Sequence, residues 1–193
     1  MKREIILASA SPRRKELLSR FVSDFSIRVA DIDETAPTKM LPEETAAYVA
    51  AKKAEKINLT APCNSLIIAA DTIVCLKDKI YGKPQSAEDA ELMLKELRGQ
   101  SHNVITAVVC IDKISGKILK FSETTTVFFV NYSDNIIKKY IESHEPFDKA
   151  GAYAIQETGC ILVEKIIGDY DNVVGLPIAK LIRKLESINV FLY

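Results

Sequence analysis

Residues 5–18 read IILASASPRRKELL, an apolar run that stops abruptly at a serine-proline pair and restarts as an amphipathic pattern. Ile5, Ile6, Leu7 and Ala8 have the length and branching of a buried strand, and Leu17, Leu18, Phe21 and Val22 then recur as one side of a helix. Ser11 is a favourable N-cap and Pro12 a favourable first helical residue. Arg13 and Arg14 are unexpected there, because the unpaired N–H groups and the macrodipole of a helix start favour negative charge. Either both arginines face solvent, or they and the hydroxyls of Ser9 and Ser11 surround a polyvalent anion such as a phosphate chain.

An anion site of that kind has to be local. Lys plus Arg and Asp plus Glu balance at 26 each, which leaves no global field to attract nucleic acid or an anionic membrane. The basic N-terminus and its short apolar run do not make a signal peptide, because serine, proline and two arginines interrupt the run. No other apolar stretch approaches the roughly 20 residues that span a bilayer. The four cysteines, Cys63, Cys75, Cys110 and Cys160, lack C-x-x-C spacing, and reduced thiols in a cytoplasmic protein are expected. At 193 residues the chain fits one domain.

Further along, residues 25–29 alternate like a strand and lead into Asp31, Asp33 and Glu34, acids that need either water or a cation. Pro42 opens a second helix in which Val49, Lys53 and Ile57 recur at intervals of four, so an ammonium shares an apolar stripe and must snorkel or meet an anion. Lys52 and Lys56 lie on another face and read as solubility charges. Residues 66–70 form an uninterrupted apolar run, the mark of a strand covered on both faces, and Asp71 ends it. A carboxylate at that position is costly unless it is paired, metal-bound or at the mouth of a cleft. Residues 73–76 continue as strand, turn at 77–79 and return to Gly82-Lys83-Pro84, where the proline stiffens the chain beside Lys83.

Ser86 caps a third helix that ends at Gly99, and 104–111 and 118–130 read as two long strands joined by a turn. Residues 133–143 read as a short helix. Residues 145–156, EPFDKAGAYAIQ, suit neither a regular helix nor a simple surface loop. The Gln156 amide offers one acceptor and two donors, a match for N3–H and O4 of uracil or thymine, although an ordinary surface glutamine is the other reading. Residues 161–167 read as a strand, GDYDN at 168–172 as a turn, and Pro177 starts a final helix.

SASPRR, AADTIV, GKP, EPFDKAGAYAIQ and GDYDNVVGLP, in this order, resemble the signatures of the Maf family of nucleoside triphosphate pyrophosphatases over nearly the whole chain. The resemblance implies one domain over residues 1–193, an α/β unit built on a long mixed twisted sheet with two lobes around a cleft, similar to inosine triphosphatase. It implies hydrolysis of the α–β phosphate bond with a divalent cation, Mg2+ or Mn2+, held by Glu34 and Asp71. Asp71 is then the catalytic proton acceptor, and Ser9, Ser11, Arg13, Arg14, Lys53 and Lys83 bind the substrate phosphates. Arg13, Thr72 and Gln156 resemble the members acting on dTTP and UTP, and modified pyrimidine triphosphates belong to the same expectation. The stretch 154–159 and Ala107 depart from glycine-richer versions, which bears on the shape of the base pocket. A homodimer in the cytoplasm, with no nucleic-acid or membrane partner, is expected. The competing reading is a regulator of cell division and septum formation that senses nucleotides without turning them over.

Overall fold

A computed structural model describes residues 2–192. Among these residues, seven strands form one mixed sheet: β1 (Glu4–Leu7), β2 (Ser26–Ile27), β3 (Ser65–Leu76), β4 (Lys79–Tyr81), β5 (Ser101–Asp112), β6 (Lys117–Phe129) and β7 (Val163–Ile167). Their hydrogen-bonded order is β2-β1-β3-β5-β6-β7, with β4 on β3. β1 runs parallel to both β2 and β3, whereas β4 on β3 and β7 on β6 are antiparallel. The mixed sheet expected from the sequence is therefore present. Among the described residues, six α-helices accompany it: α1 (Pro12–Ser19), α2 (Pro42–Asn58), α3 (Ala87–Leu97), α4 (Asp134–Glu142), α5 (Tyr170–Val174) and α6 (Ile178–Glu186).

By its internal packing the chain divides into two compact units, and β3, β5 and β6 each contribute residues to both. The first unit holds the chain up to Asp71, Thr106–Glu123 and the stretch from Gly175 onward. Its core is β1 and the start of β3, where Ile6, Leu7, Leu66, Ile67 and Ile68 are fully buried, as an apolar run covered on both faces requires. α2 adds Ala46, Val49, Ala50, Lys53, Ala54 and Ile57, the spacing of one helical face. Leu41, before α2, has no side-chain acceptor, so Glu44 reaches back to the Leu41 N–H at 3.0 Å while Pro42 supplies a pre-set first turn. Arg3 grips the buried carboxylate of Asp112 with Nε and Nη2, both at 3.0 Å, and so joins the start of the chain to the end of β5.

The second unit, Thr72–Ile105 with Thr124–Val174, has a more aromatic core in which Tyr81, Phe129, Tyr132, Tyr140 and Tyr153 accompany Leu94 and Ile137. α3 begins where Ser86 Oγ accepts the Asp89 N–H at 3.2 Å. Between α4 and β7 the chain follows short 3-10 turns at Glu145–Asp148, Ala150–Ala152 and Glu157–Leu162.

Several boundaries differ from the sequence reading. β3 runs unbroken from Ser65 to Leu76, joining through Asp71 and Thr72 the apolar run at 66–70 and the strand read at 73–76. β2 has two residues rather than five. α1 ends at Ser19, which leaves Phe21 47% exposed while Val22 stays buried. The GDYDN segment is a short helix, started by Asp169 Oδ1 accepting the Asp171 N–H at 2.9 Å. Residues 161 and 162 belong to a 3-10 turn, and β7 begins at Val163.

Candidate active site

Of the charged residues singled out in the sequence, Arg13, Arg14, Glu34, Lys53 and Asp71 belong to the first unit. Lys53 projects from the buried face of α2, and its ammonium lies 2.8 Å from Asp71 Oδ1 and 2.8 Å from Glu34 Oε1. Lys53 is 8% and Asp71 9% exposed, so the helical stripe does deliver an ammonium to a buried carboxylate. Burial pushes the Asp71 carboxyl above its ordinary range, against the pull of Lys53 and Arg14 and with a further push from Glu34. A carboxyl with a raised pKa is better suited to accept a proton near neutral pH than an ordinary aspartate.

Arg14 is seated by the first turn itself. Its Nε donates to the Gly175 carbonyl at 2.8 Å and its Nη1 to Ser9 Oγ at 3.3 Å. Burial pushes the guanidinium's pKa down, Asp71 and Glu34 oppose that, and Arg13 adds to it. Ser11 is the N-cap of α1, accepting the Arg14 N–H at 3.4 Å, and Ser9 Oγ also accepts the Ser11 N–H at 3.1 Å. The two hydroxyls therefore use acceptor positions to build the turn, and an accepting hydroxyl retains its own O–H as a donor. Arg13 is half-buried in the same turn.

The loop bearing Glu34 is tied down on both sides. Lys53 takes the Glu34 carboxylate, and Lys52 donates to the main-chain carbonyl of Asp33. Asp33 in turn accepts the Thr35 N–H at 2.9 Å. Lys52 is thus no idle solubility charge. Periodicity gave its helical face correctly but carried no information about a loop from 19 residues earlier lying across it.

Thr72, Lys83 and Gln156 belong to the second unit. Thr72 follows Asp71 within β3, where successive side chains point to opposite faces. Lys83 is exposed, next to buried Pro84, and its segment is anchored by the Gly151 N–H donating to the Gly82 carbonyl at 3.0 Å. Gly151 has φ 69°, and a β-carbon there would lie 2.9 Å from Val74 Cγ1, so glycine is needed on both counts. Gln156 is half-buried just before the 3-10 turn at Glu157–Leu162.

Contacts around the site that sequence reading missed include the Gly175 carbonyl and a buried amide, Asn172. The Asn172 Nδ2 donates to the Val104 carbonyl at 3.0 Å and to Thr125 Oγ1 at 2.9 Å. Thr125 Oγ1 donates to the Asp169 carbonyl at 2.9 Å and accepts the Asp169 N–H at 3.0 Å, which anchors the GDYDN segment. The glycine and proline around Leu176 were the available signal for a fixed backbone there.

Among the described residues no group of three or more His, Cys, Asp or Glu side chains forms a metal-holding cluster. Glu34 and Asp71 do converge, on one ammonium. A pair of hard carboxylates fits Mg2+, which is commonly bound through one or two carboxylates plus substrate phosphates rather than by an all-protein cage.

The sequence profile of the Maf-like protein family matches residues 4–188. The chain is 50% identical over 185 residues to a dTTP/UTP pyrophosphatase of Clostridium botulinum (strain Alaska E43 / Type E3), covering 95% of this chain and 98% of that one. It is 49% identical over 185 residues to a dTTP/UTP pyrophosphatase of Pyrococcus furiosus, covering 95% of each. A Bacillus velezensis dTTP/UTP pyrophosphatase is 43% identical over 190 residues, covering 98% of this chain and 99% of that one. Among solved structures, the Staphylococcus aureus Ham1 protein aligns with a TM-score of 0.46 and 17% identity over 67% of this chain and 73% of its own. A nucleoside-triphosphatase / dITP/XTP pyrophosphatase from Mycobacterium abscessus aligns with a TM-score of 0.45 and 11% identity over 96% and 98%. With a family profile matched across residues 4–188 and near-full-length relatives at up to 50% identity, the chain belongs to the family of Maf-like proteins.

Proposed function

We propose that this chain hydrolyses dTTP and UTP, with modified pyrimidine triphosphates as further candidates, to the monophosphate and pyrophosphate. The observation that carries the reading is Lys53 held between Asp71 and Glu34 at 2.8 Å each, in a chain 43–50% identical to dTTP/UTP pyrophosphatases. Such a cluster can be neutralised and rearranged by a triphosphate and a divalent cation together.

In this reading Asp71 orients water and takes its proton as the oxygen–phosphorus bond forms at the α-phosphorus. The bond to the bridging oxygen breaks, and pyrophosphate leaves with that electron pair. Lys53 holds Oδ1 of Asp71 in place, and its ammonium also faces the incoming phosphates. Arg14, fixed by a main-chain carbonyl and Ser9, meets the phosphate chain without having to reorganise, as electrostatic stabilisation of developing charge requires. Arg13, Lys83 and the hydroxyls of Ser9 and Ser11 complete the phosphate contacts, while Arg13, Thr72 and Gln156 set the choice of base. Glu34 and Asp71 are the residues that would hold Mg2+ or Mn2+; the bound cation would polarise the α-phosphate and offset its charge. Residues 1–193 act as one catalytic domain, in the cytoplasm and as a homodimer.

The test is pyrophosphate release from a panel of normal and modified nucleoside triphosphates with Mg2+, Mn2+ or Co2+, for wild type and Asp71→Asn. Turnover of dTTP and UTP is expected, falling by about 10³-fold in the variant while nucleotide binding persists. No release from any triphosphate would overturn the reading, and binding without turnover would favour a nucleotide sensor.

A further inference from the structure

Gln156 lies in a stretch whose backbone is unusual. His144, Gly151, Ala152 and Glu157 all have left-handed φ, at 61, 69, 58 and 56°. For Ala152 and Glu157 the β-carbon makes that conformation unfavourable, so it persists only where the surroundings over-determine it.

Two buried phenols pin the residues that follow Ala152. Tyr140, on α4 and 2% exposed, accepts the Ala154 N–H on its hydroxyl at 3.0 Å. Tyr153, 5% exposed, meets Nε2 of His102 at 2.7 Å, with its ring edge-on to His102 at 5.3 Å and to Phe129 at 4.6 Å. Gly159 closes the arrangement: a β-carbon there would lie 2.3 Å from the Ala154 carbonyl oxygen and 2.7 Å from the Tyr140 hydroxyl. Consecutive residues 153 and 154 are thus bolted to two different elements, through a side chain and a main-chain amide respectively. Gln156 follows two residues later, between those bolts and the left-handed Glu157.

We propose that Tyr140 is a positioning residue for base selection, its hydroxyl fixing Ala154 and through it the carboxamide of Gln156, while the His102–Tyr153 pair holds the adjoining residue on the same side of Gln156. This rests on the base-reading role proposed above for Gln156. An amide reads a base edge only if its oxygen and nitrogen are held within about 0.5 Å of the matching geometry. A short polar side chain on a loosely held loop would not meet that requirement, and the phenolic hydroxyl supplies it without touching the nucleotide.

The experiment compares wild type, Tyr140→Phe, Tyr153→Phe, Gln156→Ala and the double variant Tyr140→Phe/Gln156→Ala. The readouts are kcat/KM for UTP and for a poor-base triphosphate, thermal stability, and hydrogen exchange at the Ala154 amide. Tyr140→Phe keeps the ring and removes only the hydroxyl. Faster Ala154 exchange is expected, with the ratio of kcat/KM for UTP over the poor substrate falling about tenfold. Tyr153→Phe shifts that ratio in the same direction. The double variant is no less selective than Gln156→Ala alone, because Tyr140 acts through Gln156. An unchanged Ala154 exchange rate, lowered stability with an unchanged selectivity ratio, or additive losses in the double variant would each overturn the proposal. If Gln156→Ala itself leaves selectivity intact, the base-reading role fails and takes the positioning role with it. If Gln156→Ala relaxes selectivity and neither tyrosine variant does, only the positioning role falls.

Discussion

Around Lys53 the structure is held by charge: one ammonium, two carboxylates at 2.8 Å and a guanidinium braced on a backbone carbonyl. At Tyr153 and Ala154, between left-handed backbone at Ala152 and Glu157, it is held by neutral groups, two phenols and a histidine. The difference matters because ionic contacts can be exchanged for a substrate's own charges, whereas the neutral bolts have no ligand to replace them. The first arrangement is suited to being rearranged during turnover. The second is suited to staying where it is.

The contrast breaks most visibly at Lys53. Replacing Lys53 with Met leaves Asp71 buried without its nearest counter-ion, and kcat/KM is expected to fall by about 10³-fold. The pH profile sharpens this. Asp71 must be ionised to accept a proton, its carboxyl is already raised by burial, and Lys53 pulls it down. Losing Lys53 raises it further, so the acid limb of kcat/KM moves to higher pH, as a pH–rate series would record. An unmoved limb would mean that Asp71 is not the titrating base.

His102 provides the neutral counterpart. Burial lowers its pKa from 6.5 to about 4, so the folded protein keeps the ring uncharged where the unfolded chain protonates it. The stabilising contribution is full above pH 6.5 and is lost as pH falls from 6.5 through 4, amounting to about 3 kcal/mol in total. Tm measured across that range is expected to fall on the acid side, and His102→Gln to flatten the fall.

The smallest effect probes packing alone. Gly159→Ala forces a methyl group towards the Ala154 carbonyl and the Tyr140 hydroxyl, at an expected cost of about 2 kcal/mol and a Tm lower by roughly 4–8 °C. Selectivity between bases should relax in the same variant, whereas the acid limb set by Asp71 should not move.

What was legible in the sequence follows the same division. Lys53 stood out because a charge on an apolar helical stripe violates periodicity, and Asp71 because it interrupts an apolar run; both violations are visible within a few residues. The strand read at 73–76 proved continuous with the run before Asp71, whose carboxylate is paired with Lys53 inside β3. Lys52 and the Gly175 carbonyl were missed because their partners lie 19 and 161 positions away, and no local pattern encodes a main-chain acceptor. Tyr140 and His102 were missed for a related reason. A tyrosine on the inner face of α4 is ordinary core by its spacing, and only the folded chain shows its hydroxyl receiving an amide 14 residues on.

The bond from Arg14 to the carbonyl of Gly175 also has a bearing on biosynthesis. Its two ends are 161 residues apart, and at translation rates of about 5–20 residues per second roughly 10–30 s separate their appearance. During that interval the nascent chain carries Arg14 without the carbonyl that later fixes its guanidinium. A chain interrupted before residue 175 therefore lacks a fully braced arginine, which ties readiness for an anion to near-completion of synthesis.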